Sequence, residues 1–236
     1  MTLSNAYFID FDGTITVNDL SSELAAYYGG QAHREIENKY RRREIPIREW
    51  LRANAKILPA DMELLHSKAL EWAVIRPGFE SFLEYARDQK NPVVIASDGF
   101  GFYIEPILEK HGLLDKVSHI YRNETFVDQN GNLVVNHPHS HLVCSVCGNC
   151  KAAHVIKVKS EKRPVLYIGD GSNDRFGASW SDHVCARDKL VESCREFKII
   201  YSPWNDFYDI MRIDKPGLKN CADHSLCFPQ GNGIKL

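Results

Sequence analysis

Short apolar runs alternate along this chain with stretches of helical periodicity. Strand-like runs lie at 5–10, 93–97, 164–169, 183–186 and 197–201, each of a length that suits a strand buried on both faces. Between them the apolar positions are spaced for helices. Over 77–89, Pro77 suits a helix start, and Phe79, Phe82, Leu83 and Ala86 repeat at i, i+3, i+4 and i+7. Asn91-Pro92 stops that helix, and Val93-Val94-Ile95-Ala96-Ser97 follows as a buried strand. Alternation of this kind predicts an α/β fold: a Rossmann-like parallel sheet with helices on both faces and right-handed crossovers.

Two segments depart from the alternation. Residues 19–75 carry no strand signal and are rich in helix formers, notably over 21–28, 33–43 and 61–72. They read as a small helical domain inserted after the first strand, so that 1–18 and 76–236 make up the α/β core. Residues 118–136 read as a β-hairpin, with 121–127 and 133–135 flanking Asp128-Gln129-Asn130-Gly131-Asn132; Asn-Gly is the strongest short hairpin signal. From about 215 the chain is rich in Gly, Pro, Asn and Cys without periodicity and reads as an irregular tail.

A chain of 236 residues can bury roughly 70–75% of its unfolded surface, so it needs no covalent staples. Its formal net charge of −2 gives no electrostatic basis for binding nucleic acid or a membrane surface. No apolar run approaches the roughly 18 residues that span a bilayer. The N-terminus leads directly into a strand without a basic and apolar leader pattern. Seven cysteines, an odd number, read as reduced thiols of a cytoplasmic protein.

The chemistry is concentrated at two strand ends. Asp10-Phe11-Asp12-Gly13-Thr14 follows Ala6-Tyr7-Phe8-Ile9, and Gly169-Asp170-Gly171-Ser172-Asn173-Asp174 follows Val165-Leu166-Tyr167-Ile168. Strand ends of an open parallel sheet are where ligands bind. If the two strands are neighbours, several carboxylates converge. Like charges about 4 Å apart repel by roughly 4 kcal/mol at an effective dielectric near 20, so such a cluster calls for a cation. An all-oxygen set favours Mg²⁺ over zinc or copper. Asp174 also stands where it could cap a helix beginning near Arg175.

Asp10-x-Asp12-Gly13-Thr14 and Gly169-Asp170-x₃-Asp174 together resemble the haloacid dehalogenase-like phosphohydrolases. Ser97, at a strand end before Asp98-Gly99, matches that superfamily's second motif, and Lys151 in Cys147-Gly148-Asn149-Cys150-Lys151 matches its third. The resemblance spans the chain to about residue 212. It implies Asp10 as a nucleophile that forms an aspartyl-phosphate and Asp12 as general acid and base. It also implies Mg²⁺ held by Asp10, the Asp12 carbonyl, Asp170 and Asp174, with Ser97, Asp98 and Lys151 around the phosphoryl oxygens. The insertion between the first and second motifs is similar to that of phosphoserine phosphatase-like members. Ile75-Arg76-Pro77-Gly78-Phe79, Cys150-Lys151, Ala186-Arg187-Asp188-Lys189-Leu190 and Asp206-Phe207-Tyr208-Asp209-Ile210 look like the 2-hydroxy-3-keto-5-methylthiopentenyl-1-phosphate phosphatases of methionine salvage. Phosphocholine, phosphoethanolamine or phosphoserine hydrolysis, and phosphoryl transfer to another acceptor, are the alternatives. The second motif departs from the usual Ser-Gly-Gly in carrying Asp98, which either adds a carboxylate beside the phosphate pocket or points away from it.

Substrate choice belongs to the insertion. Asp19, Ser22 and Glu23 at its start are the candidate contacts, with Tyr27 and Tyr28 beside them. Lys39-Tyr40-Arg41-Arg42-Arg43 reads as a solvated helix face. Phe100, Phe102 and Tyr103 suit either an apolar substrate tail or helix packing. Cys144-x₂-Cys147-x₂-Cys150 with a nearby histidine, and Cys221-x₂-His224-x₂-Cys227, have spacings that a structural metal could use.

Overall fold

Ala6, Tyr7, Phe8 and Ile9 are all fully buried, although successive side chains of a strand face opposite ways. Their sheet is therefore covered on both faces, as an uninterrupted apolar run requires. The computed structural model describes residues 5–214. The irregular tail expected from about 215, with Cys221, His224 and Cys227, lies outside the described residues.

Among the described residues, β1 (Ala6–Ile9) stands at the centre of a seven-stranded sheet. On one side are β2 (Val93–Phe100), β3 (His119–Val127) and β4 (Leu133–Asn136). On the other are β5 (Val165–Gly169), β6 (His183–Ala186) and β7 (Ser202–Pro203). The order is β4-β3-β2-β1-β5-β6-β7, and only the β3/β4 hairpin is antiparallel. Register matters most at the centre. Ile9 pairs with Ile168 of β5 and with Ile95 of β2, so all three strands deliver their next residues to the same edge.

Helices α4 (Phe79–Asp88), α5 (Gly101–Lys110) and α9 (Phe207–Ile213) lie on the Tyr7/Ile9 face; Phe79 and Phe82 meet Phe207 with ring centroids 4.8 and 5.3 Å apart. The Phe8 face takes Val155 of α6 (Lys151–Ser160), Ala178 of α7 (Arg175–Ala178) and Leu190 of α8 (Asp188–Glu196).

The apolar run at 197–201 is not a strand. α8 stops at Glu196, Lys198 takes a left-handed φ of 55°, and pairing with β6 begins only at Ser202. The inserted segment holds α1 (Leu20–Arg41), α2 (Ile47–Ala55) and α3 (Met62–Trp72). The two helices expected over 21–28 and 33–43 are one helix broken at Gly30, whose φ is 50°. Both ends of the insertion are zipped together by an antiparallel bridge between Thr16 and Ile75 and by Val17 N–H donating to the Val74 carbonyl at 2.8 Å.

Just past that bridge, the buried Arg76 passes beneath the loop that follows β1. Its Nε donates to Thr14 O at 2.7 Å, and its Nη2 to Gly13 O at 2.5 Å and Thr16 O at 3.3 Å. The guanidinium also lies over the Trp204 ring, 5.4 Å from its centroid. Removing these donors leaves buried carbonyls unpaired. Arg76→Met should cost at least about 2 kcal/mol of stability. A fall in the urea midpoint with little change in slope is the expected measurement.

Candidate active site

After Ile9 the chain leaves the sheet and turns through Phe11–Ile15. Asp10 Oδ1 accepts the Phe11 N–H at 2.7 Å, which fixes the carboxylate against its own backbone. Gly13 has a φ of 75°, and a Cβ there would lie 2.3 Å from Asp170 Oδ2. The turn therefore needs glycine for both conformation and space. Thr14 Oγ1 donates to Asp170 Oδ1 at 2.7 Å, tying the first acidic cluster to the second.

Asp174, fully buried, is fully engaged. Its Oδ1 accepts from Lys151 Nζ at 2.6 Å and Tyr167 Oη at 2.7 Å. Its Oδ2 accepts the N–H groups of Gly171 at 2.8 Å and Asp170 at 3.1 Å. It braces its own loop in place of capping α7. The same Lys151 Nζ lies 2.8 Å from Asp10 Oδ2, so one ammonium bridges the two clusters.

Ser97 and Asp98 sit near the end of β2. The Oγ of Ser97 accepts the Gly99 N–H at 2.9 Å. Asp98 lines the cavity beside Ser97 and Lys151, and its Oδ1 accepts the Asn149 N–H at 2.9 Å. Asn149 is the knot of this region. Its amide donates to Ser97 O and Tyr121 O, each at 2.9 Å, and its Oδ1 lies 2.6 Å from His154 Nε2. His154 stacks on Tyr121, with centroids 3.6 Å apart.

These strand ends floor a cavity of about 330 Å³ whose roof is the insertion. Asp19 and Ser22 line it, but Asp19 is also the N-cap of α1, accepting the Ser22 N–H at 2.9 Å. Glu23 does not reach the cavity; it accepts from Asn18 at an exposed position. Tyr27 points outward and packs on Trp72 and Tyr28. The same cavity is also lined from α1 and α2 by Glu37, Tyr40, Ile47, Trp50 and Leu51. Tyr40 belongs to the run expected to be solvated, and Arg41, Arg42 and Arg43 do pair at the surface with Glu37, Glu44 and Glu196. Helical periodicity separates Tyr40 from those arginines; α2 bore no motif, so its wall residues had no sequence signal.

Cys144, Cys147 and Cys150 do not gather around a point: among the described residues, the group of metal-capable side chains is Asp10, Asp170 and Asp174, with ligand oxygens within 4.8 Å of one another. Electrostatics asks for a cation there. Burial, and then repulsion from Asp174, push Asp10 well above the usual carboxylate range and Asp170 up to about 7. Burial works to discharge Lys151, but Asp10 and Asp174 overcome it and keep the ammonium protonated. An all-oxygen set short of positive charge fits a hard divalent ion. Asp12 is raised by burial and then by Asp19, with Tyr103 acting against both.

A model of the family described as Putative Phosphatase matches residues 6–212. A 2-hydroxy-3-keto-5-methylthiopentenyl-1-phosphate phosphatase of Bacillus cereus (strain 03BB102) is 31% identical over 211 residues, covering 88% of this chain and 94% of that protein. Its namesake in Bacillus anthracis (strain A0248) matches to the same extent. Among solved structures, a substrate-bound phosphoserine phosphatase complex superposes with a TM-score of 0.70 at 18% identity, over 91% of this chain and 100% of that one. A phospho-aspartyl intermediate analogue of phosphoserine phosphatase gives 0.69 at 19%, over 90% and 99%. These likenesses share the fold.

Burial, reinforced by His139, pushes the His154 imidazole down to about 3 from an ordinary 6.5. Its neutral form therefore stabilises the fold fully above about pH 6.5, and that contribution is lost as pH falls from there towards 3. Denaturant titrations at pH 7 and 4.5 should show the wild type losing about 1–2 kcal/mol more than His154→Gln does across the same interval.

Proposed function

We propose, from the premise that the chain belongs to the Putative Phosphatase family, that it hydrolyses a small phosphorylated metabolite, a methylthio-enediol phosphate of the methionine-salvage type. It is a haloacid dehalogenase-like phosphoric monoester hydrolase. The observation that carries the reading is the convergence of Asp10, Lys151, Asp170 and Asp174 beneath one cavity. The substrate class is supported by the 31% identical relatives and by the apolar, aromatic wall of Ile47, Trp50, Leu51 and Tyr40, which suits an uncharged tail. Residues 19–75 then serve as a cap that selects the substrate, with the core supplying the phosphoryl chemistry.

Asp10 attacks phosphorus in line: its oxygen forms a bond to phosphorus as the bond to the leaving oxygen breaks. Asp12 gives its proton to that departing oxygen, then takes one from the water that hydrolyses the aspartyl-phosphate and frees Asp10. Ser97, neighbouring backbone N–H groups and Lys151 hold the phosphoryl oxygens where charge spreads in a loose transition state. Lys151 does this while anchored to Asp10 and Asp174. Asp10, the Asp12 carbonyl and Asp170 would hold Mg²⁺, with Asp174 assisting directly or through water, and the ion would neutralise charge on the phosphate and on the nucleophile. The described cysteines are all free thiols, which supports a reducing, cytoplasmic setting.

Asp10→Asn should lose at least about 10³ in turnover on a methylthio-enediol phosphate analogue, equivalent to roughly 4 kcal/mol. Near-normal turnover would remove Asp10 from the nucleophile's role. Mg²⁺ should raise the thermal midpoint of the wild-type protein and leave that of Asp170→Asn unmoved; equal shifts in both would place the ion elsewhere.

A further inference from the structure

Asp12 has to meet a leaving oxygen in one orientation, yet it sits on a turn, where nothing in the sheet holds its side chain. Two donors hold it instead. Its Oδ1 accepts the backbone N–H of Leu20, the first residue of α1, at 3.0 Å, and its Oδ2 accepts the Tyr103 hydroxyl at 2.5 Å. Tyr103 belongs to α5, the helix that leaves the second motif. Its ring is fully buried and wedged among Phe11, Phe100 and Phe102, with centroids 6.1, 6.2 and 5.1 Å away. A buried phenol in such apolar company directs its O–H at whatever acceptor is in reach.

An independent observation marks the same pair. A Cβ added at Gly99 would lie 2.3 Å from Tyr103 Oη and 2.5 Å from Asp12 Oδ2. The backbone of the second motif is thus bare where the phenol and the carboxylate meet. Each oxygen of Asp12 can accept a second hydrogen bond, so the two contacts fix its orientation without preventing proton transfer.

The geometry points to Tyr103 as the positioning residue of Asp12, holding that carboxyl group in line with the leaving-group oxygen. The inference rests on the reading of Asp12 as general acid given above. It explains a feature that the family-type motifs do not cover: an aromatic residue outside every motif has its only polar atom on the acid.

The leaving group separates positioning from general structural support. The ratio kcat/KM covers the steps up to departure of the leaving group. An alkyl phosphate such as glycerol 2-phosphate releases an alkoxide that needs the proton of Asp12, whereas p-nitrophenyl phosphate releases a phenolate that needs none. Tyr103→Phe keeps the ring and removes one of the two hydrogen bonds that orient the Asp12 carboxyl group. It should lower kcat/KM for glycerol 2-phosphate by about ten-fold or more. The same variant should stay within about three-fold of wild type on p-nitrophenyl phosphate, with inhibition by inorganic phosphate unchanged. Tyr103→Met, which also removes the hydroxyl and fills an irregular gap with a flexible side chain, should reproduce the selective loss and supplies the test if Tyr103→Phe does not fold. In an Asp12→Asn background, Tyr103→Phe should cost nothing further. Equal losses on both substrates, or no loss on either, would overturn the role of Tyr103 while Asp12→Asn still discriminated between the leaving groups. An Asp12→Asn variant that treated both substrates alike would overturn the general-acid reading and this inference with it.

Discussion

Charge repulsion is the constraint around which this molecule is arranged. Asp10, Asp170 and Asp174 bring ligand oxygens within 4.8 Å of one another in a buried place, where each like pair costs roughly 4 kcal/mol at an effective dielectric near 20. The fold meets that cost with donors placed by backbone geometry. Asp174 alone takes two N–H groups, a phenol and an ammonium. Lys151 is shared by carboxylates from both strand ends. Burial first, and repulsion from Asp174 after it, still raise Asp10 and Asp170, and a divalent cation would offset both.

The sheet makes that crowding possible. Parallel pairing of β1 with β5 in the register Ile9–Ile168 puts both acidic clusters at one edge, and β2 brings Ser97 to the same edge from the other side. The loops there are held from below by Arg76 and from the side by Asn149. The groups proposed to be catalytic are thus supported by rigid elements and by buried hydrogen bonds, which is what transition-state preorganisation requires.

The helical insertion is joined to this edge by more than its linkers. Asp12 accepts the N–H of Leu20 at the start of α1, and the two linkers pair at Thr16 and Ile75. A displacement of α1 would therefore be felt at the group proposed to move the proton. The cavity lining from α2 is apolar or aromatic, Ile47, Trp50 and Leu51, whereas α1 contributes Ser21, Ser22, Glu37 and Tyr40.

Much of this was legible in the chain. Apolar runs ending in Asp10 and Asp170, the 3.6-residue periodicity of 77–89 and the Asn130-Gly131 turn are local signals, and the strands, α4 and the β3/β4 hairpin follow from them. The run at 197–201 misled because a helix stop and a strand can draw on the same apolar residues, and the left-handed Lys198 decided between them. Which side of a helix faces a cavity depends on what packs above it, so the chain alone does not place Glu23 outside the cavity or Tyr40 in its lining. Asp98, Tyr103 and Asn149 are defined by partners far along the chain, and no local pattern carries that information. The sequence by itself determined that two acidic clusters stand at strand ends, a short-range property of residue type and spacing, and its motifs carried the resemblance that implies phosphoryl chemistry. Only the tertiary structure decided which of them meet, which carboxylate serves as a brace and which side chains form the cavity wall, because hydrogen bonds and burial act over a few ångströms of space whatever their distance along the chain.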